Sequence, residues 1–183
     1  MKALLFDLDG TLVDTEKLDD LVMQRILKKN GLSMKFKAFI GCTLEEYVSS
    51  ITADNKLKQK IKREFIKEYT SLLRKTGLIL NHRLLELLKQ KSNLKIALVT
   101  SNTKKITTII LKKIGLLKFF DTIITCEDVE NQKPHPEPFL KAVTKLGVSP
   151  NECIIFEDSQ AGLQSAKLSG INYQKIKFGG EVK

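Results

Sequence analysis

The chain has little of what cross-links, anchors or disorders a protein. Its 183 residues hold three cysteines, no tryptophan, four prolines and ten glycines. Cys42, Cys126 and Cys153 are odd in number and widely spaced, with no Cys-x-x-Cys or Cys/His pattern, which excludes a disulfide framework and a zinc module. They read as idle thiols in a reducing compartment. His82 and His135 have no metal-type ligand beside them and are expected to be structural or exposed. The apolar run over residues 95–100 is among the longest, far short of the ~20 residues of a membrane span. The first apolar run, residues 2–7, is expected to be a strand and not a leader, so a cytoplasmic protein is expected. With 42% hydrophobic residues, the composition is that of one globular domain, or one domain carrying a smaller insert.

Arginine is also scarce. The balance of 31 basic and 21 acidic residues, +10 overall, invites a polyanion as partner. Yet arginine occurs only at positions 25, 63, 74 and 83, and arginine is the residue favoured for base reading and bidentate phosphate contacts. The lysine pairs 28–29, 104–105 and 112–113 lie along helical patterns and read as solvated faces. Neither nucleic acid nor membrane is expected as a partner. A positive surface favours small anionic substrates.

Hydrophobic periodicity divides the chain. A short buried strand at residues 2–7 is followed by helical spacing from about 14 to 80. Leu18, Leu21, Val22 and Ile26 mark one helix. Thr43, with Glu46 at the capping-box position, opens a second. Leu57, Ile61, Phe65, Tyr69, Leu72 and Leu73 mark a third, and no strand is expected in this stretch. From 81 onward helices over 83–90, 105–114, 137–146 and 160–168 alternate with strands over 94–100, 121–125, 153–156 and 171–176. That alternation predicts an α/β fold with a parallel, Rossmann-like sheet covered on both faces. The expected organisation is a core of residues 1–13 and 81–183 interrupted by an all-helical insert, 14–80.

In such sheets, ligands bind beyond the carboxyl ends of the strands. Asp7-Leu8-Asp9-Gly10-Thr11-Leu12-Val13-Asp14 follows the first strand directly. Two carboxylates so close repel unless a cation or proton separates them. The next strand ends in Thr100-Ser101-Asn102, hydroxyls and an amide suited to phosphate oxygens at a helix start. The following strand leads to Lys133-Pro134-His135-Pro136, and the fourth ends in Glu157-Asp158-Ser159. Acid pair, hydroxyl, lysine and acid pair at four strand ends are hard to attribute to a bland fold.

This set resembles the haloacid dehalogenase superfamily, in its branch of phosphoglycolate phosphatases and β-phosphoglucomutases with a helical cap. The resemblance implies a Mg2+-dependent phosphatase acting on a small phosphorylated metabolite, such as a sugar phosphate or phosphoglycolate. Asp7 would be the nucleophile and Asp9 the acid and base. Asp7, Asp158 and Asp9 (through its carbonyl) would hold Mg2+, supported by Glu157. Lys133 and Thr100, with the backbone around Ser101 and Asn102, would balance the phosphoryl oxygens, and Gly41 in the cap loop would approach substrate. The dehalogenating and phosphonate-cleaving relatives lack a carboxylate at the position of Asp9. The mutases carry a histidine and an arginine where this chain has Asp19 and Leu44, so hydrolysis is favoured over the two alternatives, a hexose-phosphate mutase and a catalytically silent basic binding protein. A monomer or weak dimer is expected.

Overall fold

Three apolar segments, uninterrupted by polar residues on either face, become the central strands of one sheet. The computed structural model describes residues 1–33, 41–89 and 93–178. Strand β1 (Ala3–Phe6) lies between β4 (Lys95–Val99) and β6 (Cys153–Glu157), with β5 (Thr122–Ile124) and β7 (Asn172–Lys175) at the edges. The order is β5-β4-β1-β6-β7, and every pairing is parallel. Successive side chains of β1 leave the sheet on opposite sides. Leu4 and Phe6 enter one apolar cluster with α4 (His82–Lys89) and α5 (Lys104–Lys113), whereas Ala3 and Leu5 enter another with α6 (Glu137–Leu146) and α7 (Gln160–Ser169). Both faces are therefore covered, as the strand–helix alternation predicts. Residue 90, expected to end α4, lies outside the described residues.

The register fixes the site. Phe6 is level with Leu98 on one side and Phe156 on the other. One residue further along each strand are Asp7, Val99 and Glu157, side by side across three strands.

The expected helical insert contains α1 (Glu16–Lys29), α2 (Leu44–Ile51) and α3 (Asn55–Lys75). Leu18, Val22, Met23, Ile26 and Leu27 of α1 are buried with Ile61, Phe65, Tyr69 and Leu73 of α3. Leu21 departs from its expected place: it is 41% exposed, because its position on α1 falls outside the arc that meets α3. Thr43 and Glu46 form the expected capping box at α2. The expectation of no strand between 14 and 80 needs correction. Val13–Asp14 (β2) and Ile79–Leu80 (β3) pair antiparallel, so both ends of the insert are tied into one two-residue ribbon. Segments that short carry no readable period. Among the described residues, no helix is long and apolar enough to cross a membrane.

Candidate active site

The centre of the site is one lysine. Lys133 Nζ donates to Asp7 Oδ1 (2.8 Å), Glu157 Oε2 (2.7 Å) and the Val99 carbonyl oxygen (3.0 Å), touching all three neighbours that the register aligns. Its side chain is 3% exposed, those of Asp7 and Glu157 9% and 1%. The loop that carries it is braced by polar contacts. Gln132 Nε2 donates to the Cys126 carbonyl, and the Glu137 carboxylate accepts the backbone N–H groups of Glu130 and Asn131. The Phe139 ring lies 5.0 Å from the ammonium, a contact that also favours the charged form.

Glu157 is fully engaged. Besides Lys133, it accepts from the Asp158 and Ser159 N–H groups and from Ser159 Oγ. Gly162, in the first turn of α7, leaves it room: a Cβ there would stand 2.0 Å from the Glu157 carboxyl carbon. Asp158 accepts from Thr11 Oγ1 at 2.6 Å, and a Cβ on Gly10 would meet its Oδ2 at 2.3 Å. Gly10 also has φ +78°, so the turn of the first motif requires glycine twice over. Asp9 is held by Thr15 Oγ1 (2.7 Å), Asn102 Nδ2 (2.7 Å) and Thr100 Oγ1 (3.3 Å).

These environments set the titration behaviour. Burial pushes the Asp7 carboxyl well above its usual value, helped by Glu157 and opposed by Lys133. Burial raises Asp9 as well, against hydrogen bonds from Thr15, Thr100 and Asn102. Burial takes Asp158 to about 6, opposed by the Thr11 hydrogen bond. Burial works against the Lys133 charge, but Asp7 and Glu157 outweigh it and hold the ammonium above the ordinary lysine value. A surplus of buried carboxylates over lysine is a site with an unmet demand for positive charge.

Asp7, Glu157 and Asp158 each present a carboxylate oxygen within 4.8 Å of the others. Hard oxygen donors in that arrangement suit Mg2+ or another hard divalent cation. Glu157 spends its oxygens on hydrogen bonds, which leaves Asp7 and Asp158 as the carboxylates free to bind an ion. The Asp9 carboxylate is outside this group.

A cleft opens above these residues. Asp7, Asp9, Asp158 and Lys133 form its floor; Ser101, Asn102, Thr103, Ile106 and Ser159 form the sheet side; Glu16, Asp19, Gly41, Cys42, Leu44 and Phe65 form the helical side. The structure thus brings together the expected residues Asp7, Asp9, Ser101, Asn102, Lys133, Asp158 and Gly41. Thr100 is buried beneath, against Asp9, and Glu157 sits behind Lys133. Sequence reasoning did not single out Glu16, Phe65, Ile106, Thr11 or Thr15 as site residues. Phe65 and Ile106 belong to the apolar core as well as the wall, so apolar spacing conceals their second role. Glu16 and Asp19, three residues apart, share one face of α1, and that spacing was a usable signal.

Comparison with known proteins bears on this arrangement. The family model described as haloacid dehalogenase-like hydrolase matches residues 4–176. YhcW of Bacillus subtilis is 36% identical over 182 residues, covering 93% of this chain and 81% of that one. The phosphorylated carbohydrates phosphatase of Thermotoga maritima is 29% identical over 182 residues, covering 93% of this chain and 82% of the relative. Among solved structures, β-phosphoglucomutase from Clostridium difficile superposes with a TM-score of 0.84 at 25% identity, covering 96% of this chain and 84% of that one.

Proposed function

The chain belongs to the haloacid dehalogenase-like hydrolases, and from that premise we propose that it is a Mg2+-dependent phosphomonoesterase for a small phosphorylated metabolite, such as a sugar phosphate or phosphoglycolate. The observation that carries this reading is Lys133 bridging Asp7 and Glu157, with Asp158 in cation-binding reach of Asp7. A carboxylate attacks a phosphate dianion poorly unless positive charge offsets both. Lys133 supplies part of that charge. Asp7, Asp158 and the Asp9 carbonyl would hold Mg2+, which would supply the rest as a Lewis acid.

In this mechanism the free oxygen of Asp7 forms a bond to phosphorus as the ester P–O bond breaks. Asp9, whose raised pKa favours a proton, gives that proton to the departing oxygen. The resulting Asp9 carboxylate then takes a proton from water as the water oxygen bonds to phosphorus and the Asp7–phosphoryl bond breaks. Phosphate leaves and Asp9 is again protonated. Thr15 and Asn102 hold Asp9 in place for both transfers. Ser101 and Asn102, with the start of α5, face the phosphoryl group from the sheet side.

The helical segment 14–80 acts as a cap hinged at the β2–β3 ribbon, with Gly41 brought against α7. Closure excludes water from the phosphoryl site. Hydrolysis is preferred to mutase chemistry because Asp19 and Leu44, at the positions of the mutases' cap histidine and arginine, both line the cleft and neither is a cation. Free thiols at Cys42, Cys126 and Cys153 fit the cytoplasm.

The test is phosphate release from a panel of monophosphates, with and without chelator. We expect release that needs Mg2+ and no bisphosphate primer. Full activity in excess chelator, or efficient isomerisation of glucose 1-phosphate with little phosphate released, would overturn the reading.

A further inference from the structure

The two ends of the cleft differ in charge. At the floor the positive features converge: Lys133, and the first turns of α5 and α7 at Thr103 and Ser159. The opposite wall carries two carboxylates from α1, Glu16 and Asp19, beside the apolar Leu44 and Phe65. Among the described residues that line the cleft, Lys133 is the one cation, and its ammonium already has three acceptors. Among the described residues, nothing there would neutralise a second anionic group on the substrate.

Asp19 has a buried hydroxyl beside it. Tyr69, 1% exposed on α3, has a buried hydroxyl without a hydrogen bond of normal geometry, although it lies near enough to Asp19 for each to influence the other's titration. Burial, and then the Asp9 charge, push the Asp19 carboxyl well above its usual range. An anion brought beside it would find no cation, among the described residues of that wall, to offset its charge. A hydroxyl would instead donate to it, and carbon faces of the same molecule would pack on Phe65.

We propose that Asp19, with Glu16, determines specificity for leaving groups that are neutral and rich in hydroxyls, such as sugars and other polyols, and rejects those bearing a carboxylate or a second phosphoryl group. This rests on the phosphatase reading above and narrows it. Selection works in both directions, since the acidic wall offers acceptors to hydroxyl donors and no cation to an anion.

The test compares full-length enzyme and two variants in excess Mg2+. Substrates are fructose 1-phosphate and glycerol 3-phosphate (neutral leaving groups), phosphoglycolate and pyrophosphate (anionic ones), and p-nitrophenyl phosphate as a generic ester. The expected result is a kcat/KM for the neutral polyol esters at least about tenfold above both anionic substrates. Asp19→Asn should raise KM for the polyol esters about tenfold, lower kcat by less than about threefold, and lower KM for phosphoglycolate. Glu16→Gln, at an exposed position, should move KM in the same directions by less, and it keeps the test open if Asp19→Asn fails to fold. Preference of the wild type for phosphoglycolate or pyrophosphate would overturn the proposal. So would equal changes for every substrate in a folded variant, the mark of a merely structural role. Failure to hydrolyse any ester, p-nitrophenyl phosphate included, would remove the phosphatase reading and this inference together. Hydrolysis of p-nitrophenyl phosphate with an anionic preference would remove this inference alone.

Discussion

Lysine–carboxylate pairs hold both the strand ends and the helical insert, and burial makes them different devices. Lys133 meets Asp7 at 2.8 Å with its side chain 3% exposed. Lys29 of α1 meets Glu64 of α3 at the same 2.8 Å with its side chain 68% exposed. Geometry alone would rank them equal. Water screens the second pair, and holding two long side chains together offsets most of what remains. The first pair stands where removing charge from water is expensive, and a third charge, Glu157, shares the lysine. Such a cluster is a poor way to stabilise a domain. It makes sense as a site kept for phosphoryl chemistry, whereas the pairs on the insert are ordinary surface.

The most severe way to break that comparison is to remove one buried charge without changing shape. Asp7→Asn keeps the volume and leaves Lys133 its bond to Glu157. Phosphatase activity should fall on the order of 10^4-fold or more while the melting temperature holds or rises, since one buried charge has gone. Near-native turnover would mean that Asp7 is not the nucleophile.

Lys133→Met tests the same cluster from the cationic side. It leaves Asp7 and Glu157 facing each other without compensation, and breaking a buried pair in this way costs about 3–5 kcal/mol. Denaturant melts of the variant should show that loss. Adding Glu157→Gln should recover part of it, because one of the unpaired charges is then gone. Stability unchanged in the single variant would place the cluster in water after all.

Gly162→Ala is a subtler perturbation. In a helix alanine is ordinarily better than glycine by up to about 1 kcal/mol. Here the new methyl would overlap Glu157, whose carboxylate is tied by four hydrogen bonds and has nowhere to go. Overpacking should win, at about 1–3 kcal/mol of lost stability together with weaker metal binding. A stabilised variant would show that Glu157 can move freely.

These buried contacts mark the limit of what the sequence discloses. The alternation of strands and helices, and hence the sheet, was legible because apolar runs and glycine stops are local signals. Asp7, Asp9 and Asp158 were legible because each stands just past a strand, and Lys133 because it lies in the proline-flanked loop beyond β5. What Glu157 does was not, because its partners lie 24 residues away at Lys133 and within the turn that follows it. Thr11 and Thr15 carried no signal of their own in the sequence, yet they hold Asp158 and Asp9 respectively. The β2–β3 ribbon was hidden by its length, two residues on each side separated by the entire insert. Asp19 was noticed only for the histidine it is not.

Gly41 is one of the places where the two regions touch, and its substitution should be felt in both. Its φ is +79°, and a Cβ there would stand 3.0 Å from Ser159 Oγ and from Ala161 Cβ at the start of α7. Gly41→Ala therefore combines a backbone conformation unfavourable to side chains, at about 1 kcal/mol, with a wedge against the start of α7. A larger residue such as valine should shift KM and substrate ranking more than melting temperature. A large loss of stability with unchanged ranking would make the loop a structural turn only.

The smallest effect should come from the exposed pair that opened the comparison. Lys29→Ala removes a 2.8 Å contact with Glu64, but Asn30 Nδ2 also donates to Glu64, at 3.0 Å, so the carboxylate keeps a partner. Beneath them Ile26, Leu27, Ile61 and Phe65 stay buried and continue to hold α1 to α3. The melting temperature should move by less than about 2 °C, and that small shift should shrink further in high salt, where exposed charges are screened. Activity should be unaffected, because neither residue lines the cleft. A loss as large as that of Lys133→Met would show that the pairing between α1 and α3 holds the insert closed, and the distinction drawn from burial would then fail.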